Sequence, residues 1–289
     1  QRQMCIRDRT CATSQCHGSA VPRDGSNVLQ NEYVTWTQDD PHSRAWDTLS
    51  NDLSRAMARR LGIGDPQAAD ICLDCHADNV PAARRGEKFH LSDGVGCEAC
   101  HGGSQNWLST HYNTPAVSHA DNLAAGLYPT EGASERAELC LSCHLGTRDK
   151  LATHTIMAAG HPRLTFELDT FTELWRTAGR QPHYRMDSDY ADRKGSLSHN
   201  DIWATGLLAE ARSRLALIQD DGFTGNGMFP ELGLYDCHAC HRSMKSVQWQ
   251  RLPRHGNVAP GRPFLTDGTF VMSLASVSYT HLTLPTSPK

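Results

Sequence analysis

The sequence predicts a mainly α-helical protein with extensive irregular loops and little or no β-structure. Short segments with apolar residues at helical spacing recur along the chain, and several of them run directly into a pair of closely spaced cysteines. Only 7% of the 289 residues are aromatic and the mean hydropathy is −0.52, so core-forming side chains are scarce for this length. We therefore expect short helices, low regular secondary structure and a core that side chains alone do not complete.

Four copies of a C-x-x-C-H motif define the chemistry of the chain. Chance predicts about 0.02 such motifs at this composition. The motif is typical of covalent haem c attachment, because two thiols on one helical turn can bond both vinyl groups of a porphyrin while the next residue, a histidine, binds the iron. The cysteine pairs and their histidines are Cys72, Cys75 and His76; Cys97, Cys100 and His101; Cys140, Cys143 and His144; and Cys237, Cys240 and His241.

A fifth motif has a longer spacing. Cys11, Cys16 and His17 form C-x4-C-H, in which the two extra residues can loop outward while the thiols still straddle the ring. We expect it to hold a haem, which makes five haem c groups; a disulfide or two free thiols would leave four. C-x-x-C pairs also bind zinc, but zinc ribbons do not require a histidine after each second cysteine, so structural zinc is disfavoured.

Both ends of the chain resemble translated sequencing-adaptor read-through. These segments are residues 1–9 and 276–289. The first contains Cys5, and if that segment is native, Cys5 is a free thiol. We expect a multihaem domain over residues 10–245 and a C-terminal extension over 246–275. If the terminal segments are artefacts, the gene is truncated at one or both ends.

Apolar periodicity predicts four helices. The first is bounded by Asp40-Pro41 and by Gly62 and Gly64, and the third has Ser134 as its N-cap. The fourth is the clearest amphipathic helix, and we expect it to pack on the core rather than on a partner subunit. Residues 181–194 are polar and predict a loop. The four helices cover residues 40–61, 65–76, 134–144 and 200–219.

Spare histidines are plentiful enough to supply second axial ligands to the irons. The strongest candidates lie on predicted ordered segments beside apolar or small residues: His42, His90, His154 and His161. Next come His111 and His183, with weaker claims for His119, His199, His238 and His255. If the segment from His154 to His161 is helical, its two histidines share one face about 10.5 Å apart, and two neighbouring irons could each take one.

The charge and the ends of the sequence bear on partners and location. The formal net charge of −4 without a basic run excludes a nucleic-acid binder. Each ferrous haem c adds about −2 and each ferric one about −1, so we expect redox partners with a basic docking surface. No apolar stretch is long enough to span a membrane. Haem attachment to thiols takes place outside the cytoplasm, so we expect a periplasmic or other extracytoplasmic protein, with a secretory signal preceding this segment.

Three segments resemble the multihaem cytochrome c-552/c-554 family: DPHSRA at 40–45, GVGCEACHG at 94–102 and HTIMAAGHPR at 154–163. The resemblance covers about residues 10–245. It implies a multihaem cytochrome c fold, with closely packed, mostly bis-histidine haems in parallel-stacked and perpendicular pairs. It also implies electron transfer in periplasmic respiratory or nitrogen-compound metabolism. The C-x4-C-H motif departs from the four-haem members of the family.

Electron transfer along a chain of haems is the predicted function, and it requires no catalytic residue. The alternative is a multihaem oxidoreductase that acts on hydroxylamine, nitrite or tetrathionate at one haem with an open axial position. Related cytochromes can contain one five-coordinate haem. The surplus of histidines favours the electron carrier.

Overall fold

The fold was described from a computed structural model. It describes residues 8–23, 25, 28–112, 116–180, 188–220, 223, 230–241 and 263–283. Helix accounts for 58% and strand for 2%, and the described residues form no sheet. The predicted fold class, many short helices joined by irregular loops, is confirmed. The helical content is higher than the low regular structure expected from composition.

Most of the α-helices are short, and six 3₁₀ turns connect them in the described part of the chain. The α-helices are α1 (Asp8–Cys11), α2 (Glu32–Asp39), α3 (Asp52–Leu61), α4 (Asp70–His76), α5 (Cys97–His101), α6 (Leu108–His111), α7 (His119–Ala124), α8 (Ala133–His144), α9 (His154–Ala158), α10 (Leu168–Thr177), α11 (Ser188–Lys194), α12 (His199–Gln219), α13 (Cys237–Cys240) and α14 (Gly268–Thr283). The 3₁₀ turns are Pro41–Arg44, Asp47–Ser50, Ala82–Arg84, Leu91–Asp93, Ser104–Asn106 and Leu232–Leu234.

The larger side-chain core lies where α12 packs against α8 and α10. α12 begins at a capping box, in which the Ser198 hydroxyl and the Asp201 carboxylate each bond the other's backbone N–H. It packs on the core, as predicted, and contacts α14 as well as α8 and α10. Leu208 and Leu215 remain exposed, so its apolar residues do not form the single face that the sequence suggested. The buried members of this core are Ala137, Leu141, Leu145, Leu168, Ile202, Ala209, Leu217 and Leu234.

The predicted helix over residues 40–61 is broken into two 3₁₀ turns and α3. Asn51 causes the break, since its backbone is extended and its side chain accepts a hydrogen bond from the Ser54 N–H as the N-cap of α3. Gly62 ends α3 in the left-handed conformation, as predicted. A second, smaller core forms beside these turns from Leu49, Leu73 and Ala77.

Three further local predictions were wrong. The helix predicted over residues 65–76 begins only at Asp70, after a turn over residues 66–68. The N-cap of α8 is Gly132 rather than Ser134, because the backbone leaves the extended region two residues earlier. Residues 188–194 of the predicted loop form α11, a helix too short to show apolar periodicity, and residues 181–187 lie outside the described residues. None of the described helices combines the length and the apolarity needed to cross a membrane.

Candidate functional site

Every C-x-x-C-H motif lies on a helix that ends at its histidine or just before it. α4, α5 and α8 end at His76, His101 and His144. α13 ends one residue before His241, whose N–H donates to the Cys237 carbonyl at 2.7 Å. One helical turn therefore separates the first cysteine from the histidine, which places both on one side of the helix.

The C-x4-C-H segment closes in a similar way. The N–H of His17 donates to the carbonyl of Cys11 at 3.0 Å, which is the counterpart of the His241 bond to Cys237. The extra residues form a turn, in which the N–H groups of Cys16 and Gly18 both donate to the Thr13 carbonyl at 2.9 Å. The local backbone thus supports the use of Cys11, Cys16 and His17 as a haem-attachment site.

Among the residues that the structure describes, four histidine pairs each join a motif histidine to a second histidine across a gap of nearly constant width. The second histidine comes from a distant part of the chain in each pair. The ring-centroid distances are 6.2 Å for His17–His111, 6.0 Å for His42–His144, 6.4 Å for His76–His161 and 6.2 Å for His154–His241.

This separation fits one metal ion between two imidazoles. A metal–imidazole bond is about 2.0–2.1 Å long and the ring centroid lies about 1.1 Å behind the nitrogen, so two axial imidazoles on one iron have centroids about 6 Å apart. The angle between the two ring planes varies among the pairs, from 23° for His17–His111 to 90° for His42–His144. The described residues contain no cluster of three or more metal-ligating side chains, which is the arrangement that structural zinc needs. The four pairs therefore suit axial ligation of haem iron.

Hydrogen bonds at Nδ1 orient four of these imidazoles. His17 bonds the Glu32 carboxylate and His42 bonds the Asp40 carboxylate, both at 2.8 Å. His76 bonds the carbonyl of Ala45 at 3.1 Å, and His161 bonds the carbonyl of its neighbour Pro162 at 2.7 Å. An acceptor at Nδ1 places the proton there and leaves Nε2 as the metal-binding nitrogen.

A cavity of about 1090 Å³, which we call the central cavity, opens between α3, α4, α8 and α9. Its volume lies at the upper end of the range of about 300–1,000 Å³ for small-molecule sites. Two complete sets of motif cysteines and paired histidines line it: Cys72, Cys75, His76 and His161; and Cys140, Cys143, His144 and His42. Cys100 of a third motif also lies on its wall.

The two sets meet at their second cysteines. The thiols of Cys75 and Cys143 are hydrogen-bonded to each other, and Lys150 Nζ lies 3.0 Å from Cys143 Sγ. The Cys75 contact and the Lys150 ammonium lower the pKa of Cys143, whereas the same thiol contact raises the pKa of Cys75. The attachment points of two haems would therefore lie side by side, with one cation at their junction.

Burial keeps several of the paired imidazoles in the neutral form that binds metals. Desolvation lowers the pKa of His76, His111 and His144 below the ordinary value. His42 differs, because its hydrogen bond to Asp40 raises its pKa. Iron binds a nitrogen that carries no proton. A buried imidazole that is already neutral therefore binds iron without first having to lose a proton.

Four buried polar atoms have no hydrogen-bond partner within the described ranges: Asn31 Oδ1, Ser104 Oγ, Trp107 Nε1 and Arg136 Nε. Trp107 packs edge-on against His111 at 5.2 Å, and Arg136 lies one turn before Cys140 on α8. Protein atoms cover all four, so these atoms do not mark a place for a haem propionate.

The remaining predicted ligands fall in different surroundings. His90 is exposed at the start of the Leu91–Asp93 turn, and no motif histidine lies against its ring. His101 accepts a hydrogen bond from the Tyr128 N–H at its backbone carbonyl. His183 lies outside the described residues. His119 and His199 bond the carboxylates of surface residues, Glu131 and Asp169 respectively.

Sequence analysis missed Asp40, Glu32 and Lys150. Asp40 had a local signal, since an aspartate directly before Pro41 is a typical helix cap, and its carboxylate also accepts from the His42 N–H. Glu32 and Lys150 had no such signal. They reach His17 and Cys143 through the tertiary fold and a loop, respectively.

Gly94 holds the segment before α5 against the backbone of His42. Its φ is +71°, and a Cβ there would lie 2.5 Å from the His42 carbonyl oxygen. We expect Gly94→Ala to destabilise the haem-loaded protein by about 1–3 kcal/mol beyond backbone strain, because a packed backbone must shift. Gly179 is the matched control, with φ +70° and no atom nearby, and Gly179→Ala should cost only about 1–2 kcal/mol. Equal unfolding midpoints in urea for the two variants would contradict this.

Comparison with known proteins agrees with the motifs. Residues 10–102 match the family model described as cytochrome c554 and c-prime. Neither the curated proteins nor the solved structures that were compared contain a match. The matched segment includes the C-x4-C-H motif, the Asp40–His42 turn and the motifs of α4 and α5. The match supports the resemblance to the cytochrome c-554 family and, with it, a c-type cytochrome with covalently bound haem c.

Proposed function

We propose that this protein is a periplasmic multihaem cytochrome that carries electrons through five covalently bound, mostly bis-histidine haems. The observation that carries the proposal is the set of four histidine pairs with ring centroids 6.0–6.4 Å apart. An iron between two protein imidazoles has no position left for a substrate. It can change its charge by one electron with little change in its surroundings, which is the chemistry of an electron carrier.

Contacts between elements link the sites. Trp107 contacts His111 of the His17–His111 pair, and it follows a turn whose Ser104 N–H bonds Glu98 of α5. α5 supplies Cys100 to the central cavity. The central cavity holds two sets of ligands and adjoins α9, whose His154 pairs with His241. These links support electron transfer from haem to haem.

Haem stoichiometry and spin state test the proposal. Pyridine haemochrome analysis of the loaded protein should give five haems per chain, and EPR of the ferric form should show low-spin iron. The double variant Cys11→Ser, Cys16→Ser should lose one haem and keep the others, because its motif is separate from the central cavity. Four haems in the unchanged protein would remove this motif as an attachment site.

The same spectra separate the carrier from an oxidoreductase. A catalytic haem needs an open axial position, which gives a high-spin signal that shifts when nitrite or hydroxylamine is added. Such a signal in the fully loaded protein would contradict the carrier function and support the enzyme. For the haem at Cys97, Cys100 and His101, this measurement also shows whether a second protein ligand is present.

A further inference from the structure

We propose that Asp40 is a positioning residue that lowers the reduction potential of the haem held between His42 and His144. This haem would then have a lower reduction potential than the haem between His76 and His161, whose ligands line the same cavity. The inference rests on the proposed bis-histidine haems. It concerns the direction of electron flow between the two sites that share the cavity.

The Asp40 carboxylate is held firmly behind His42. Its Oδ1 lies 2.8 Å from His42 Nδ1 and also accepts the backbone N–H of His42 at 2.9 Å. The residue is only 5% exposed, and its own N–H donates to the Trp36 carbonyl at 3.0 Å. A buried carboxylate in this position draws the Nδ1 proton toward itself and makes Nε2 a stronger electron donor to iron.

Among the described residues, no carboxylate bonds either imidazole of the neighbouring haem site. His76 Nδ1 bonds the backbone carbonyl of Ala45, and His161 Nδ1 bonds that of Pro162. A neutral carbonyl is a weaker acceptor than a carboxylate and confers less negative charge on the ring. A ligand with more anionic character stabilises ferric over ferrous iron, so the His42–His144 haem should be the harder of the two to reduce.

Lys150 is the charge that could oppose this order. Its Nζ lies 3.0 Å from Cys143 Sγ and 3.5 Å from the carbonyl of Asp74, next to Cys75. It is therefore nearest the haem bound through Cys143, where its charge favours reduction and opposes the effect of Asp40. Asp40 is hydrogen-bonded to an axial ligand of that haem, whereas Lys150 lies at its attachment edge, so we expect the effect of Asp40 to be the larger of the two.

Glu32 makes a similar bond to His17, and its carboxylate is more exposed than that of Asp40. The side chain of Glu32 is 19% exposed and that of Asp40 7%, whereas the ring of His17 is 30% and that of His42 46% exposed. Water screens charges more effectively as exposure rises. We therefore expect the same sign of effect at the His17–His111 haem, but a smaller one.

Asp40→Asn in the loaded full-length chain tests the inference. Asparagine keeps the size and the acceptor oxygen of Asp40 but removes the charge. In a spectroelectrochemical titration, one haem component should become about tenfold easier to reduce, a rise of about 59 mV for one electron. The other components should keep their potentials, and the low-spin EPR signal of one haem should change. Glu32→Gln should shift a different component by less.

Asp169→Asn is the matched control. It removes a carboxylate–imidazole bond of the same 2.8 Å length at His199, whose side chain is 61% exposed. No midpoint should move in this variant. A shift as large as that of Asp40→Asn would show a general effect of net charge and overturn the inference.

The outcomes separate this inference from the proposed function. If Asp40→Asn carries five low-spin haems and no midpoint moves, the role of Asp40 is overturned while the electron carrier stands. If the unchanged protein lacks low-spin haem, the proposed function fails first. If the Asp40→Asn variant binds fewer haems, the inference is tested on the unchanged protein, by an NMR-resolved redox titration that gives the order in which the haems are reduced. The His42–His144 haem must then be reduced after the His76–His161 haem, and the reverse order overturns the inference.

Discussion

Without haem, the chain is expected to lose its tertiary fold. Without haem, water enters the open cavity of about 1090 Å³, and its apolar walls lose the ligand surface against which they would pack. Whole domains are stable by only about 5–15 kcal/mol, so the loss of several such contacts is enough to unfold one. The side-chain core is confined to the α8, α10 and α12 contact and to a small cluster around Leu73, and it cannot offset the loss.

Thermal unfolding checks this expectation. The full-length chain is produced once with the haem-attachment machinery and once without it, and both forms are heated while far-UV and near-UV circular dichroism are recorded. The loaded form should unfold cooperatively. The haem-free form should lack a near-UV signal and a cooperative transition. A cooperative transition in the haem-free chain would show that protein packing alone maintains the fold.

Replacing His161 should change the spin state of one haem, whereas replacing His90 should not. His161 faces His76 at 6.4 Å, and its alanine variant should leave the iron bound by His76 with an open position. About one fifth of the ferric haem should then become high-spin and bind added azide, given five haems per chain. EPR and optical titration with azide measure both effects.

His90→Ala is the control, because sequence analysis ranked His90 with His161 as a candidate ligand. In the structure His90 is exposed and apart from the motif histidines. The variant should therefore keep the spectrum of the unchanged protein. A high-spin haem in His90→Ala would establish His90 as a ligand, and an all-low-spin His161→Ala protein would remove His161 from the site.

Sequence analysis succeeded where the chemistry is local. Two cysteines and a histidine within five residues can meet one porphyrin only through the geometry of a single turn, so the motif predicts both a helix and its ligand. The mainly helical fold followed from apolar spacing, and α12 was predicted to within one residue. The break at Asn51 was missed, because apolar periodicity continues across a residue whose side chain caps the next helix.

The segment from His154 to His161 shows the limit of this approach. The spacing of seven residues suggested two ligands on one helical face for two neighbouring irons. α9 instead ends at Ala158, and Gly160 adopts a φ of +124° before His161. His154 faces His241 and His161 faces His76, so the segment reaches two different sites through a bend rather than along one helix.

The sequence by itself determined the class of fold, and it predicts the attachment chemistry and the five motif histidines, because each depends on neighbours in the chain. Only the tertiary structure decided which distant histidine faces which motif, that two sites share one cavity, and that a carboxylate lies behind His42 but not behind His76. These contacts join residues as far apart as His42 and His144. Packing around a shared cavity brings these residues together, and their spacing in the sequence does not predict it.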